Sequence, residues 1–192
     1  MRLYDISREL TTAQLYPGTP PVELRPECFI GDGGFNVKGL SASLHAGTHC
    51  DAPLHCIEGG ADIASLPLSR FIGRCLVLEV PSERLPPEVF FGKLPPGECR
   101  LLLKGGGKAH LSEEAAHDLA GRGVIAVGTD ALSVARPEEE APVHTALLRA
   151  GVAVIEMLDL SGVPEGHYTL FAPPVKIAGA DGAFCRAVLM EE

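Results

Sequence analysis

Short apolar runs, broken every few residues by glycine or proline, constrain this chain more than any other feature. Glycine (22) and proline (16) are spread along all 192 residues rather than gathered in a linker. That punctuation leaves little room for long helices and predicts many short strands joined by shaped loops. The runs at 3–6, 39–44, 75–80, 101–104, 124–127, 152–155, 175–177 and 187–190 are expected to be those strands. Several are nearly continuous in Val, Leu and Ile, as strands buried on both faces read. Leu40, Ala42 and Leu44 alternate with Ser41, Ser43 and His45, which gives the second run two unlike faces. Two helices are expected. One opens at Ser112-Glu113-Glu114, a hydroxyl cap followed by acids, and closes at Gly121 or Gly123. The other runs from Pro142 to just before Gly151. A short helical turn is expected over 67–71. The segment 85–97, bracketed by Pro86-Pro87 and Pro95-Pro96, reads as a surface loop. The fold class expected is α/β, one domain over 1–192 with a mixed sheet and few helices.

Charge and composition then exclude partners. Sixteen Lys and Arg against 25 Asp and Glu give a formal net charge of −9, and no basic run stands out. Such a chain is poorly suited to gripping phosphate backbones, so no nucleic-acid partner is expected. A hydrophobic fraction of 46% with 21% charged residues reads as a packed globular chain. No apolar stretch approaches the roughly 18–20 residues of a membrane span. Met1-Arg2-Leu3-Tyr4-Asp5 carries no apolar signal-peptide core, so a cytoplasmic location and no membrane partner are expected. The six cysteines contain no Cys-x-x-Cys pair and read as reduced thiols. Cys50 and Cys56 lie inside the segment that carries the chemistry, but they are not expected to be required ligands.

That segment holds three of the seven histidines within eleven residues: His45-Ala46-Gly47-Thr48-His49-Cys50-Asp51-Ala52-Pro53-Leu54-His55. His45 and His49 are four apart, a helical spacing, yet Gly47-Thr48 and Ala52-Pro53 oppose a helix. A strand running into a tight glycine loop, folding the ligands toward one point, fits better. Two imidazoles and one carboxylate form an N₂O set suited to Zn²⁺, with Mn²⁺ also accommodated. Three protein ligands leave a position open, which marks a catalytic ion rather than a structural one. Gly47 allows the sharp turn, and Thr48 is placed to hold a ligand. A polar loop would explain any one of these residues; it is a poor explanation for four of them together.

The eleven-residue string resembles the signature H-x-G-T-H-x-D-x-P-x-H of the cyclase family of metal-dependent hydrolases, which includes bacterial arylformamidases (kynurenine formamidases) and isatin hydrolases. The resemblance extends along the chain. Asp5-Ile6-Ser7 and Tyr16-Pro17-Gly18 resemble its opening, and Gly128-Thr129-Asp130-Ala131-Leu132-Ser133 its G-T-D-x-x-S. His144-Thr145-Ala146-Leu147-Leu148 and Ile155-Glu156-Met157-Leu158-Asp159-Leu160 resemble its distal ligand region, and Asp181-Gly182 with Arg186-Ala187 its last strand. The resemblance implies a cyclase-like swivelling β/β/α fold with a barrel-like core. It also implies a two-metal site, two Zn²⁺ ions per chain, in which His144 and Glu156 join His45, His49 and Asp51. Asp51 and Glu156 would be the bridges.

Local chemistry agrees with that set. His144 shares a helix face with Leu147 and Leu148, so it should point inward. Glu156 ends an apolar run, where an acid is costly unless paired or bound to metal. His55 reads either as a sixth ligand or as an uncoordinated base, and the resemblance implies the general acid/base. Tyr16 stands where many relatives have a tryptophan against the substrate ring, and a tyrosine can stack there too. The implied reaction is hydrolysis of an aryl amide, N-formylkynurenine, to kynurenine and formate by metal-bound hydroxide. A cyclic amide such as isatin is the alternative substrate, and a non-catalytic metal-binding module the alternative class. A homodimer or larger homo-oligomer is the implied assembly. Lys104-Gly105-Gly106-Gly107-Lys108 lacks the full phosphate-loop spacing and reads as a turn after a strand.

Overall fold

A computed structural model describes residues 1–94 and 99–191. In chain order the strands are β1 (Arg2–Asp5), β2 (Glu23–Cys28), β3 (Val37–Ser41), β4 (His49–Asp51), β5 (Ile72–Glu79), β6 (Arg84–Leu85), β7 (Cys99–Lys104), β8 (His110–Leu111), β9 (Val124–Thr129), β10 (Ala153–Glu156), β11 (Gly166–Phe171), β12 (Gly182–Phe184) and β13 (Val188–Glu191). The helices are a single turn α1 (Ile30–Gly33), α2 (Glu113–Gly121) and α3 (Glu140–Arg149). Nine strands form one mixed sheet in the order β1-β13-β11-β5-β7-β9-β10-β4-β12, curled into a half-barrel.

The centre of the sheet, β5-β7-β9-β10, is parallel. Parallel neighbours need crossovers, and α2 and α3 supply those into β9 and β10. Both faces of these strands are buried, which explains their continuous apolar runs. Leu76, Leu78, Leu101, Leu103, Val127 and Val154 pack under the helices with Leu119 and Leu147. Val77, Leu102, Ala126 and Ile155 face the opposite core with Phe71, Leu170 and Leu189. At the flanks the sheet turns antiparallel, and β4 lies between β10 and β12.

The expected helices are present with small shifts. Ser112 Oγ accepts the Ala115 N–H at 3.1 Å, the anticipated cap. The second helix starts at Glu140 rather than Pro142. Proline is tolerated at that third position because the first four amides of a helix have no partner within it. The turn expected over 67–71 is the 3₁₀ segment Leu68–Arg70.

Several expected strands move or vanish. The run at 39–44 is a strand only over Val37–Ser41, so Leu44 and His45 lie in a loop. The expected strand thus runs toward the glycine turn but ends early, and a further short strand, β4, follows the turn between two partners. Residues 175–177 form no strand. Pro173 and Pro174 have no N–H to offer a ladder, and only an isolated bridge, Pro174 to Cys185, remains. The segment expected to be a surface loop instead buries Leu85 and Phe90 completely. Its second proline pair, Pro95-Pro96, lies outside the described residues. Strands β2, β11 and β12 were not anticipated.

The D-I-S and R-A motifs meet. Arg186 Nε donates to Asp5 Oδ1 at 2.9 Å, and Ser7 Oγ both donates to the Ala187 carbonyl and accepts its N–H. These contacts tie the segment after β1 to the lead-in of β13, beside the site.

Candidate metal centre

The pairing of β4 with β10 assembles the cluster. Residues two apart on a strand share a face, so His49 and Asp51 point the same way while Cys50 points into the core. In the register, Glu156 lies opposite His49. His144 reaches the same point from α3. Three groups of ligand-type atoms result, His45-His49-Asp51, Asp51-His144-Glu156 and His45-His55-Asp181, the atoms of each within 4.8 Å of one another. Asp51 belongs to the first two, and His45 to the first and third.

Backbone carbonyls aim two of the rings. His49 Nδ1 contacts the Gly47 carbonyl at 2.8 Å and His144 Nδ1 the Glu140 carbonyl at 2.8 Å. Each contact turns the Nε2 toward the carboxylates. His144 Nε2 is 3.1 Å from Glu156 Oε1, which also accepts the Val134 N–H at 2.7 Å. Val134, the residue that follows the G-T-D-x-x-S segment, supplies that amide. Thr48 does not hold a ligand side chain as expected: its Oγ1 donates to the Met157 carbonyl at 2.7 Å and accepts the Arg8 N–H at 2.8 Å.

The chemistry of the cluster fits a cation. Asp51 is fully buried, and His49, His144 and Glu156 are buried too. His49 Nε2 and Asp51 Oδ2 are buried without a hydrogen-bond partner. Their neighbours stand at 3.3–3.5 Å: His49 Nε2 to Asp51 Oδ1 and Glu156 Oε2, and Asp51 Oδ2 to His144 Nε2. Those separations bias ionisation without satisfying either atom, which is costly in a buried place. Burial alone would lower the His144 pKa, but the Asp51 and Glu156 carboxylates hold it up at about 11. Burial and Asp51 would raise Glu156, yet His144 and His49 pull it down to about 2. Asp51 is likewise held well below the ordinary carboxylate range by His144, His45 and His49, against burial.

His45 is the least enclosed member. Its Nδ1 is 2.9 Å from Asp51 Oδ1 and its Nε2 3.1 Å from Asp181 Oδ2. Binding an ion through His45 therefore exchanges one carboxylate contact for the ion. His55, at the end of a 3₁₀ turn, lies over the cluster with its ring centroid 4.3 Å from that of His45. Its Nδ1 is 3.4 Å from the same Asp181 oxygen. Tyr16 stands on the rim with Thr19 and Ser43, and its hydroxyl donates to Glu140 Oε2 at 3.0 Å.

A family model described as "Putative cyclase" matches residues 4–136. The chain belongs to the cyclase family. A kynurenine formamidase of Erythrobacter litoralis is 35% identical over 205 aligned residues, covering 99% of this chain and 94% of that one. The solved structure of a predicted metal-dependent hydrolase from Bacillus stearothermophilus superposes with a TM-score of 0.85 at 30% identity, covering 98% and 97% of the two chains. Isatin hydrolase A from Labrenzia aggregata shares the fold, with a TM-score of 0.86 at 21% identity over 100% and 94%.

Two site residues carried no assigned role in the sequence. Asp181 contacts both His45 and His55, 136 and 126 residues away. Gly182 leaves room for His45: a Cβ there would lie 2.7 Å from His45 Cε1 and 3.0 Å from the Cys50 carbonyl oxygen. Gly182→Ala is thus expected to displace the ring and lower metal affinity about 10- to 100-fold. A competitive chelator titration measures this, and wild-type affinity would show that His45 needs no such clearance.

Proposed function

We propose that this cyclase-family chain is a metal-dependent amide hydrolase that converts N-formylkynurenine and water to kynurenine and formate. What carries the reading is the convergence of His45, His49, Asp51, His144 and Glu156 beneath His55, in a chain alignable end to end with kynurenine formamidases. Those five side chains would hold two divalent ions, Zn²⁺ or Mn²⁺. Ions held there supply Lewis acidity, lowering the pKa of water and polarising a carbonyl. The chain's own groups do the rest. His55 Nε2 takes a proton as water attacks the formyl carbon and returns it to the departing aniline nitrogen. Asp181, on His55 Nδ1, orients the ring for both transfers. Tyr16 offers its ring face to the substrate's aryl group. Formate release from N-formylkynurenine and formylanthranilate, and ring opening of isatin to isatinate, by metal-loaded protein test the assignment. Turnover of isatin alone would replace the substrate, and turnover of none would remove the hydrolase reading.

Single-domain organisation over 1–192 and a cytoplasmic location belong to the same reading; all six cysteines are free thiols, as a reducing compartment keeps them. Among the described residues no helix is long and apolar enough to cross a membrane.

We also propose that the chain works as a homodimer joined through the β2–β3 hairpin. The hairpin pairs with itself rather than with the nine-stranded sheet, and two strands alone are marginal in water. It exposes Leu24, Phe29, Phe35, Val37 and Leu40, a set that a second copy would cover. Leu24→Glu with Leu40→Glu is expected to halve the mass measured by light scattering. A wild-type monomer, or an undiminished mass in the variant, would refute this interface.

A further inference from the structure

The cavity over the ligand cluster, about 410 Å³, is lined by His45, His55, Tyr16 and Glu140 among others, and among the described residues no Lys or Arg borders it. A second cavity of about 880 Å³ adjoins it and shares Tyr16, Leu132, Ser133 and Glu140. The Tyr16–Glu140 hydrogen bond stands at the boundary. The cations absent from the first cavity line the second: Arg8 and Lys108.

One residue positions both. The Asp130 side chain, 6% exposed, accepts the N–H groups of Gly105 and Gly106 at 2.9–3.1 Å. Those bonds fix the glycine turn that carries Lys108. The Asp130 carbonyl oxygen in turn accepts from Arg8 Nη2 at 3.2 Å. The Asp130 charge is thus spent on backbone amides and not on either cation. Neither Arg8 nor Lys108 forms an ion pair among the described residues. Glu9 and Asp159 line the same cavity, and beside the Ser161 hydrogen bonds the charge of Arg8 helps to lower the Asp159 pKa without a close ion pair. A cavity bearing two cations free of close ion pairs among the described residues, and two acids, one step from a cluster that takes an amide, matches an amino-acid zwitterion.

We propose that this second cavity is the subsite for a charged side chain on the substrate, an α-amino acid whose carboxylate is received by Arg8 and Lys108. The inference rests on the aryl-formamide reading and names which aryl formamides the site prefers: those with an anionic tail on the ring. Lys104-Gly105-Gly106-Gly107-Lys108 acquires a role by this assignment. It presents Lys108, while Lys104 turns away to Glu79 and the Val163 carbonyl.

The test compares two probes on the zinc-loaded enzyme. N-formylkynurenine carries the tail, and 2-formamidoacetophenone keeps the ring, ketone and formamide without it. In the double variant Arg8→Gln, Lys108→Gln, the ratio of kcat/KM for the first probe to that for the second is expected to fall about 10- to 100-fold, chiefly through KM. Restoring charge with Lys108→Arg, alongside wild-type Arg8, should recover most of the ratio. Calorimetric titration of the same proteins with kynurenine and 2-aminoacetophenone should show the matching loss without any turnover. An unaltered ratio, or equal losses for both probes, overturns the subsite while leaving the hydrolase reading intact. No formate from either probe with wild-type enzyme overturns the reading and the subsite together.

Discussion

Asp51→Ala is expected to empty the centre and reduce formate release to the uncatalysed background. Asp51 belongs to both the His45-His49-Asp51 and the Asp51-His144-Glu156 groups, and its Oδ2 is buried without a hydrogen-bond partner. Removing it takes a donor from each proposed ion at once, whereas loss of His45 or His144 takes a donor from one. The metal-free variant should also be less stable. His49 and His144 would keep only Glu156 as a buried counter-charge, and breaking a buried pair typically costs about 3–5 kcal/mol. Asp51→Asn nearly preserves shape and separates this electrostatic loss from a packing defect. Elemental analysis of both variants, with formate release and thermal unfolding, checks the expectation. Wild-type metal content in either would place the ions elsewhere.

The parts of this site legible in the sequence are those held together by short spacing. His45, His49, Asp51 and His55 announce themselves because one turn and one short strand hold them within eleven residues. Gly47 supports the expectation of a sharp turn, with φ +61°. His144 and Glu156 are different in kind. Local pattern shows only that each is a polar group in an apolar setting; two long-range facts, the β10–β4 register for Glu156 and the placement of α3 for His144, bring them to Asp51. Asp181 was invisible as a site residue for the same reason, since only β12 pairing with β4 carries its segment to His45. In the fold, the buried parallel strands were legible because burial on both faces leaves an unbroken apolar run. Strand β11 was not: His167 and Thr169 interrupt its apolar residues, and pairing with β5 and β13 defines it. Strand β4 within the signature segment was missed because it is three residues long and becomes a strand only through its two neighbours.

His55→Ala should separate binding from chemistry. All five assigned ligands remain in that variant, so metal content should match wild type. Turnover should fall by about 10²–10⁴, the usual worth of a positioned proton-transfer group. KM should move much less, because the proton transfer matters mainly in the transition state. A formyl ester should lose less rate than the formanilide, since its departing oxygen needs little help from an acid. Asp181→Asn sharpens the reading. It keeps both rings but weakens the contact that orients His55 Nδ1, so activity should fall about 10- to 100-fold with the same preference for the better leaving group. A purely structural role for Asp181 would depress ester and anilide alike. The opposing possibility is concrete, because His45, His55 and Asp181 also bring ligand-type atoms within 4.8 Å. If His55→Ala loses metal as completely as Asp51→Ala, His55 is a ligand. The proton must then be carried by another group.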